Sequence, residues 1–223
     1  MSVNEGRRGL LTALAGESKS NAEGDWIVTF ADLMALLFSF FVLLTTLSTA
    51  PKNCNGIREY FEANREVYNR FELRNSKLEC IITLPSDFLF QTGQDQLQRS
   101  ALTRLEPLFK TILNLKEHQD DLVIVEGHTD NLPISTRRFP SNWELSSARA
   151  TNVAGFLRSL GYPERKLSVR AFAENRPRVS YVDNTGKPLR NQPLQDARRA
   201  NRRVEIILAN PPKKLEEYGV LFK

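Results

Sequence analysis

The longest apolar run of the chain lies near its N-terminus. Residues 26–48 read WIVTFADLMALLFSFFVLLTTLS, which is 23 residues with a single charged side chain, Asp32. A helix of this length spans a hydrocarbon core of roughly 30 Å, and Trp26 lies where an interfacial aromatic residue is expected. We therefore predict a transmembrane helix over 25–48, preceded by a polar tail over 1–24. A core helix or a cleaved signal peptide fits less well, because the run is apolar all round after Asp32 and starts late.

Asp32 is the unusual residue of this segment. A carboxylate inside a spanning helix costs at least about 2.5–3.5 kcal/mol to insert. It lies about 9 Å beyond Trp26 at about 1.5 Å per residue, too deep for a short side chain to reach water. Asp32 could be structural, hydrogen-bonded to a partner helix, or it could carry an ion by binding and releasing a cation. Both interpretations require a partner membrane protein, and we favour the ion carrier because acids within membranes are usually functional.

A connector over 49–77 follows the apolar run. Pro51 ends the helix, and apolar residues recur at near-helical spacing from Ile57 to Phe71, which predicts an amphipathic helix. Such a helix could lie against the membrane, pair with a second copy, or pack on the domain that follows.

From Leu78 onwards the pattern changes to alternating strands and helices. Strands are predicted over 78–84, 122–126, 166–171 and 202–208, and helices over 100–115 and 142–160. Residues 174–197 are rich in Pro, Asn and Gly, which predicts a long loop, and residues 211–223 form a charged tail. The fold class predicted is a single transmembrane helix plus a two-layer α/β domain over 78–210.

Composition narrows the function classes only slightly. The 223 residues carry a net charge of +5, which is modest and gives no reason to expect a nucleic-acid partner. The two cysteines form no CxxC motif or Cys/His cluster, so no metal site is expected.

Three short motifs in the second half of the chain resemble the OmpA-like peptidoglycan-binding domain. They are GHTDN at 127–131, NWELS at 142–146 with Arg149 and Ala150 one turn later, and NRRVE at 201–205. Phe90, Gly93 and Leu97 fit an earlier pattern of the same family. The resemblance implies a domain that holds peptidoglycan.

The front of the chain independently resembles the stator B subunits MotB and PomB. Trp26 followed by TFADL at 29–33 is similar to their membrane helix, and PSNWELS at 140–146 is similar to their form of the domain. The resemblance implies a homodimer inside a pentameric ring of subunits like MotA, PomA or ZorA, with H⁺ or Na⁺ carried on Asp32 and no bound cofactor. It also implies a single-pass inner-membrane protein with a cytoplasmic N-terminus and a periplasmic domain, an orientation that the balanced Lys and Arg on either side of the span leave undecided.

The length of the connector departs from the flagellar pattern. About 30 residues separate the span from the first predicted strand of the domain, whereas flagellar subunits have a longer connector with a plug helix. The sequence does not decide whether residues 57–71 form such a plug or have another role. A short connector also resembles ZorB of the Zorya anti-phage system. Ala171 and Ala173 stand where the family often has glycines. A flagellar-stator-like motor subunit is favoured, and a ZorB-like defence subunit and a passive tether from membrane to wall remain as alternatives.

The resemblance also implies which residues hold the wall. The diaminopimelate end of a stem peptide presents an ammonium and a carboxylate, so Asp130 would accept the ammonium and Arg149 would hold the carboxylate with a bidentate fork. The weaker candidates for the same site are Asn142, Thr129 and Arg203.

Both cysteines would lie in the periplasm in this arrangement, where disulfides are permitted. An intrachain bond between Cys54 and Cys80, an interchain bond in a dimer, and free thiols are the alternatives, and we favour a disulfide.

Catalysis is not expected. A glycosidase needs two carboxyl groups across one bond, but Glu126 lies on a buried strand and Glu144 in a helix-start motif. The sequence shows no nucleophile–base pair elsewhere.

Overall fold

The computed structural model describes residues 22–47 and 52–211. The chain divides into two compact units, residues 1–50 and 51–223. The tails predicted over 1–24 and 211–223 fall almost entirely outside the described residues.

The described part of the first unit is one helix, α1, over Ala22–Leu47. Its portion Trp26–Thr45 is long and apolar enough to cross a membrane, and the side chains of that portion are exposed in the isolated chain. The hydroxyls of Thr29 and Thr45 donate to backbone carbonyls one turn back, at 2.9 and 2.7 Å. Such bonds let a hydroxyl lie in hydrocarbon without an unpaired donor. The predicted apolar helix is therefore present, with bounds shifted by a few residues.

The second unit is an α/β domain. Its helices are α2 Asn55–Ala63, α3 Arg65–Tyr68, α4 Ser86–Leu89, α5 Arg99–Asn114, α6 Asn142–Ser159 and α7 Asn191–Asn201, with short 3₁₀ turns at Lys116–His118 and Glu164–Lys166. Its strands are β1 Glu72–Asn75, β2 Glu79–Pro85, β3 Leu122–His128, β4 Leu167–Ala173 and β5 Arg203–Ala209.

These five strands form one mixed sheet in the order β1-β2-β5-β3-β4. Only the β3–β4 pair is parallel; the other pairs are antiparallel. Alternate residues of β3 and β5, such as Val123, Val125, Ile206 and Leu208, join the main core with α5 and α6. One face of the sheet thus carries the helices, which confirms the two-layer α/β fold class.

The connector is part of this domain, although the sequence prediction started the domain at residue 78. Cys54 and Ile57 are completely buried in the main core, and β1 pairs with β2 from Glu72 onwards. A disulfide joins Cys54 to Cys80, whose Cα atoms are 5.9 Å apart. The amphipathic face of α2 is therefore covered by its own domain, one of the three alternatives that the apolar pattern allowed.

The segment predicted as a loop over 174–197 contains the start of α7. This helix was missed because few apolar residues mark it, and of its side chains only Ala197 and Asn201 are buried. Asn201 holds the preceding loop: its side chain accepts from the backbone N–H groups of Arg178 and Val179 at 2.7 and 2.9 Å and donates to the Val179 carbonyl at 2.8 Å. A buried amide that is fully hydrogen-bonded fixes both the helix and the loop.

Candidate functional site

A cavity of about 370 Å³ opens where β3 ends, and we call it the wall cavity. The residues lining it that matter for its chemistry are Ser86, Phe90, Thr129, Asp130, Asn142, Arg149 and Arg202. Four of the five residues predicted from the family motifs are among them, brought together from the end of β3 and the first two turns of α6.

A glycine and a helix cap fix the position of α6 against β3. A Cβ atom on Gly127 would lie 2.1 Å from the Ser146 carbonyl oxygen, so only glycine lets the helix backbone come this close. Ser141 caps α6 by accepting from the Trp143 N–H at 3.2 Å, and its hydroxyl donates to Glu144 at 2.5 Å. This Ser-x-x-Glu capping box starts α6 at Asn142, which faces the cavity.

Asp130 provides the carboxylate of the wall cavity. Its Oδ1 accepts from the Leu132 N–H at 3.0 Å, and its Oδ2 accepts from Arg202 Nη1 at 2.5 Å. The residue is buried, yet a carboxylate accepts about four hydrogen bonds and these contacts use two. Asp130 can therefore accept further donors from a ligand ammonium.

Arg149 provides the planar cation. Its Nε donates to the Gln94 carbonyl at 2.9 Å, and its guanidinium carbon lies 5.0 Å from the centre of the Phe90 ring. Burial, aided by the positive charge of Arg202, lowers the pKa of Arg149 to about 10, so it is still charged at neutral pH. Its two Nη groups make no hydrogen bond to any described residue, which leaves a fork for a ligand carboxylate.

Asn142 and Thr129 support the walls of the cavity. The Asn142 amide donates to the Leu132 carbonyl at 3.0 Å and to Glu174 Oε2 at 3.1 Å. The Thr129 hydroxyl donates to the Asp130 carbonyl at 3.1 Å. Because their donors are already used, both residues act mainly by holding the backbone around Asp130.

The remaining predicted residue, Arg203, lies outside the wall cavity. It is buried and its Nε donates to Glu205 Oε1 at 2.8 Å. Arg202 occupies the position instead, a residue that the sequence motifs did not single out. Adjacent residues of an extended segment point to opposite sides, so only one arginine of the pair can face the cavity.

A second buried cluster lies on the sheet next to the cavity. The ligand atoms of Glu126, His128 and Glu205 come within 4.8 Å of one another, as in a candidate metal site. Their carboxylates pair with three arginines, Arg74, Arg170 and Arg203, at 2.8–3.2 Å. Because these cations already neutralise the carboxylates, we interpret the cluster as an ion-pair network, with His128 stacked on Phe172 at 5.4 Å.

Comparisons with known proteins place both units of the chain. The profile of the OmpA family matches residues 89–191, and a profile described as the membrane MotB of the proton-channel complex MotA/MotB matches residues 14–64. Motility protein B of Bacillus subtilis is 29% identical over 158 residues, which is 70% of this chain and 55% of that protein. The chain is a MotB-type protein of the OmpA family. This confirms the resemblance seen in the motifs.

One further relative of this MotB-type protein covers more of its length, and two solved structures cover about two thirds of it. YtxE of Bacillus subtilis is 28% identical over 232 residues, covering 85% of this chain and 90% of that protein. The periplasmic domain of Helicobacter pylori MotB superposes with a TM-score of 0.54 at 25% identity, over 67% of this chain and 87% of that one. The cell wall anchor of the type VI secretion system of Pseudomonas aeruginosa gives 0.53 at 25% identity, over 68% and 96%. MotB/OmpA-like proteins are structural and wall-binding proteins and are not an enzyme family.

Proposed function

We propose that this chain is the B subunit of an ion-driven motor that is anchored to peptidoglycan. Two copies span the inner membrane inside a pentameric ring of MotA-like subunits, and the α/β domain holds the wall from the periplasm. Two features of the same MotB-type chain carry the proposal: the apolar portion Trp26–Thr45 of α1 contains a single carboxylate, and the wall cavity offers an acceptor and a guanidinium fork.

Asp32 is the proposed ion carrier. The described side chains around it on α1 are exposed in the isolated chain, so lipid or partner helices must cover them. A carboxylate is tolerated there only when it is protonated, paired with a cation or hydrated in a cavity between helices. Alternation between these states moves one ion per cycle, and a unit charge crossing the membrane releases about 2.3 kcal/mol per 100 mV. The matched MotB profile is described for a proton-channel complex, which favours H⁺.

The wall cavity is the proposed anchor. Asp130 accepts the ammonium of a diaminopimelate end, while the Nη groups of Arg149 bind its carboxylate as a bidentate pair. Asp130 directly after β3 and Arg149 on α6 are held by elements of regular structure, so the two groups are preorganised before the ligand arrives. Torque then moves the partner ring, since this chain is fixed to the wall.

Substitution of Asp32 tests the motor role. In membrane vesicles with the co-expressed MotA-like partner, Asp32→Asn should abolish ion flux, because an amide cannot release a proton or balance a cation. Asp32→Glu should retain partial flux, and Ser39→Ala, seven residues along the same helix, serves as the control. Full flux in Asp32→Asn would refute the carrier role and leave a passive tether.

Co-sedimentation with purified sacculi tests the anchor. Asp130→Ala and Arg149→Ala should each weaken binding at least about tenfold, the loss expected for one charge-assisted hydrogen bond. Arg149→Lys keeps the charge but lacks the fork and should bind almost as weakly. Arg158→Ala changes an exposed arginine of the same helix and should bind normally. Unchanged binding by the Asp130 and Arg149 variants would remove the wall-site assignment.

A further inference from the structure

A second cavity of about 480 Å³ lies beside the wall cavity, and we call it the arginine groove. It is formed by α7, the starts of β1 and β5 and the end of β2. Five arginines line it: Arg70, Arg178, Arg199, Arg202 and Arg203. The lining carboxylates are Glu72 and Asp196. The lining itself therefore carries more cationic than anionic side chains.

Four of the five arginines are already held by carboxylates. Arg70 contacts both oxygens of Asp87 at 2.6 Å, Arg178 pairs with Glu72, Arg202 with Asp130 and Arg203 with Glu205. These pairs fix the guanidinium groups while leaving at least two of the five N–H donors of each group unused. Arg199 is exposed and has no ion pair to any residue between 52 and 211.

An unsatisfied hydroxyl also lines the groove. Thr83 is 4% exposed, and its Oγ1 makes no hydrogen bond to the described part of the chain. A buried polar atom without a partner is costly, and a ligand or water that enters the groove would remove this cost. In the wall cavity, Ser86 Oγ is unsatisfied in the same way.

The groove and the wall cavity adjoin. Arg202 lines both, and Pro85 of the groove directly precedes Ser86 and Asp87 of the wall cavity. A polymer held at Asp130 and Arg149 can therefore continue into the groove without leaving the protein surface.

We propose that the arginine groove binds a carboxylate of the neighbouring stem peptide on the wall polymer whose first stem occupies the wall cavity. This inference rests on the proposed wall-binding function and extends it from one stem to two. Planar guanidinium forks match a carboxylate, the hydroxyl of Thr83 supplies a further donor, and the shared Arg202 makes the two contacts continuous.

Charge reversal of Arg199 in the full-length, detergent-solubilised protein tests the groove. Arg199→Glu should lower the affinity for sacculi by about three- to tenfold, the loss of one solvent-accessible charge-assisted contact. Arg165→Glu is the matched control, since Arg165 is exposed in the turn that precedes β4, at the opposite end of the sheet. Thr83→Val keeps the shape but removes the hydroxyl, and it should cause a smaller loss without unfolding the domain.

The ligand arms identify what the groove holds. The Arg199→Glu defect should persist with sacculi stripped of phosphodiester polymers by acid and be absent with a soluble muropeptide that has one stem. If the defect vanishes after acid stripping, the groove binds a phosphate polymer. If the defect is equally large with the single-stem muropeptide, the groove and the wall cavity bind the same stem. Either result overturns the proposal.

The same experiment separates this inference from the anchor itself. If Asp130→Ala loses its binding to sacculi and Arg199→Glu binds them as tightly as the wild type does, the anchor is supported and the groove assignment is wrong. If the wild-type protein does not bind sacculi at all, both fall.

Discussion

Two aspartates of equal burial flank strand β3, and they differ in what surrounds their carboxylates. Asp121, just before the strand, is 3% exposed, and Asp130, just after it, is 5% exposed. Asp121 is enclosed: its oxygens bind Lys52 Nζ at 2.5 Å and His118 Nδ1 at 2.8 Å, and Lys52 also donates to Asn210 and to the Glu117 carbonyl. Asp130 contacts Arg202, which is about a third exposed, and faces the wall cavity.

This difference teaches that burial of a charge does not by itself identify a binding site. In the Asp121 network every charge is balanced by a neighbour, so the network holds the connector to the domain and offers nothing to a ligand. At the Asp130 end the Arg149 fork is unused and the carboxylate keeps free acceptor capacity. Unused hydrogen-bonding capacity facing a cavity is the property that marks the site.

A matched pair of substitutions tests the contrast most strongly. Asp121→Asn leaves Lys52 as a buried, uncompensated charge and should lower the free energy of unfolding by about 3–5 kcal/mol. Asp130→Asn should cost only about 1 kcal/mol, because Arg202 can turn to solvent. Urea unfolding at neutral pH measures the free energy of unfolding of both variants. Equal losses would show that Asp121 and Asp130 are equally important to the stability of the fold.

The same pair should give the opposite ranking for wall binding. Asp130→Asn should lose most of its affinity for sacculi, whereas the folded fraction of Asp121→Asn should bind normally. Lys116→Ala, an exposed lysine in the turn next to His118, is the control for both measurements.

Gly127→Ala is expected to have the next largest effect on the free energy of unfolding. It changes only the end of β3 that carries Asp130. The added methyl would meet the Ser146 carbonyl oxygen at 2.1 Å, so α6 must move away from β3. Overpacking of this kind should lower the free energy of unfolding by about 3 kcal/mol and displace Asn142 and Arg149 from the cavity.

The glycine of α6, Gly155, provides the control for this substitution. Gly155 is exposed and has nothing within 4 Å of an added Cβ atom. Gly155→Ala should therefore stabilise the helix by up to about 1 kcal/mol and leave wall binding unchanged. If both alanine variants behaved alike in thermal unfolding, close packing of α6 on β3 would not be what positions the cavity.

The motifs predicted the Asp130 end of the strand far better than the Asp121 end. Asp130 and Arg149 were predicted through the resemblance of their motifs to the OmpA-like domain, and the strands follow from short apolar runs. The Asp121 network could not be predicted, because it joins Lys52, Asp121 and Asn210 across separations of 69 and 158 residues along the chain. No local pattern encodes such contacts.

The surface against which the connector packs could not be predicted, for a related reason. An amphipathic pattern such as that of Ile57 to Phe71 shows that one face must be covered but does not show by what. Here the covering surface is α5 and the segment around Leu115, which comes within 3.0 Å of a Cβ added at Gly56. The choice between Arg202 and Arg203 also depends on strand phase, which the residue types alone do not fix.

A third carboxylate, Glu126 within β3 itself, should contribute the smallest change in stability. Its contribution depends on pH, so it extends the comparison of the buried carboxylates to acid conditions. Burial alone would raise its pKa, but the His128 ring, with Nε2 3.8 Å from the carboxylate, and Arg170, which donates to it at 3.2 Å, outweigh burial and hold the pKa below its ordinary value of 4.5. A carboxyl group with a lowered folded-state pKa stabilises the protein above its unfolded pKa, and that contribution is lost as the pH falls through the folded value. Stability should therefore decline below about pH 4.5, and Glu126→Gln should flatten this part of the curve of stability against pH.

Urea midpoints measured from neutral pH down to pH 3.5 (about one unit below the ordinary value) would show this flattening, with the exposed Glu59→Gln as control. An identical acid decline in wild type and Glu126→Gln would mean that His128 and Arg170 do not stabilise the ionised carboxylate, and the cluster beside the wall cavity would then need another explanation.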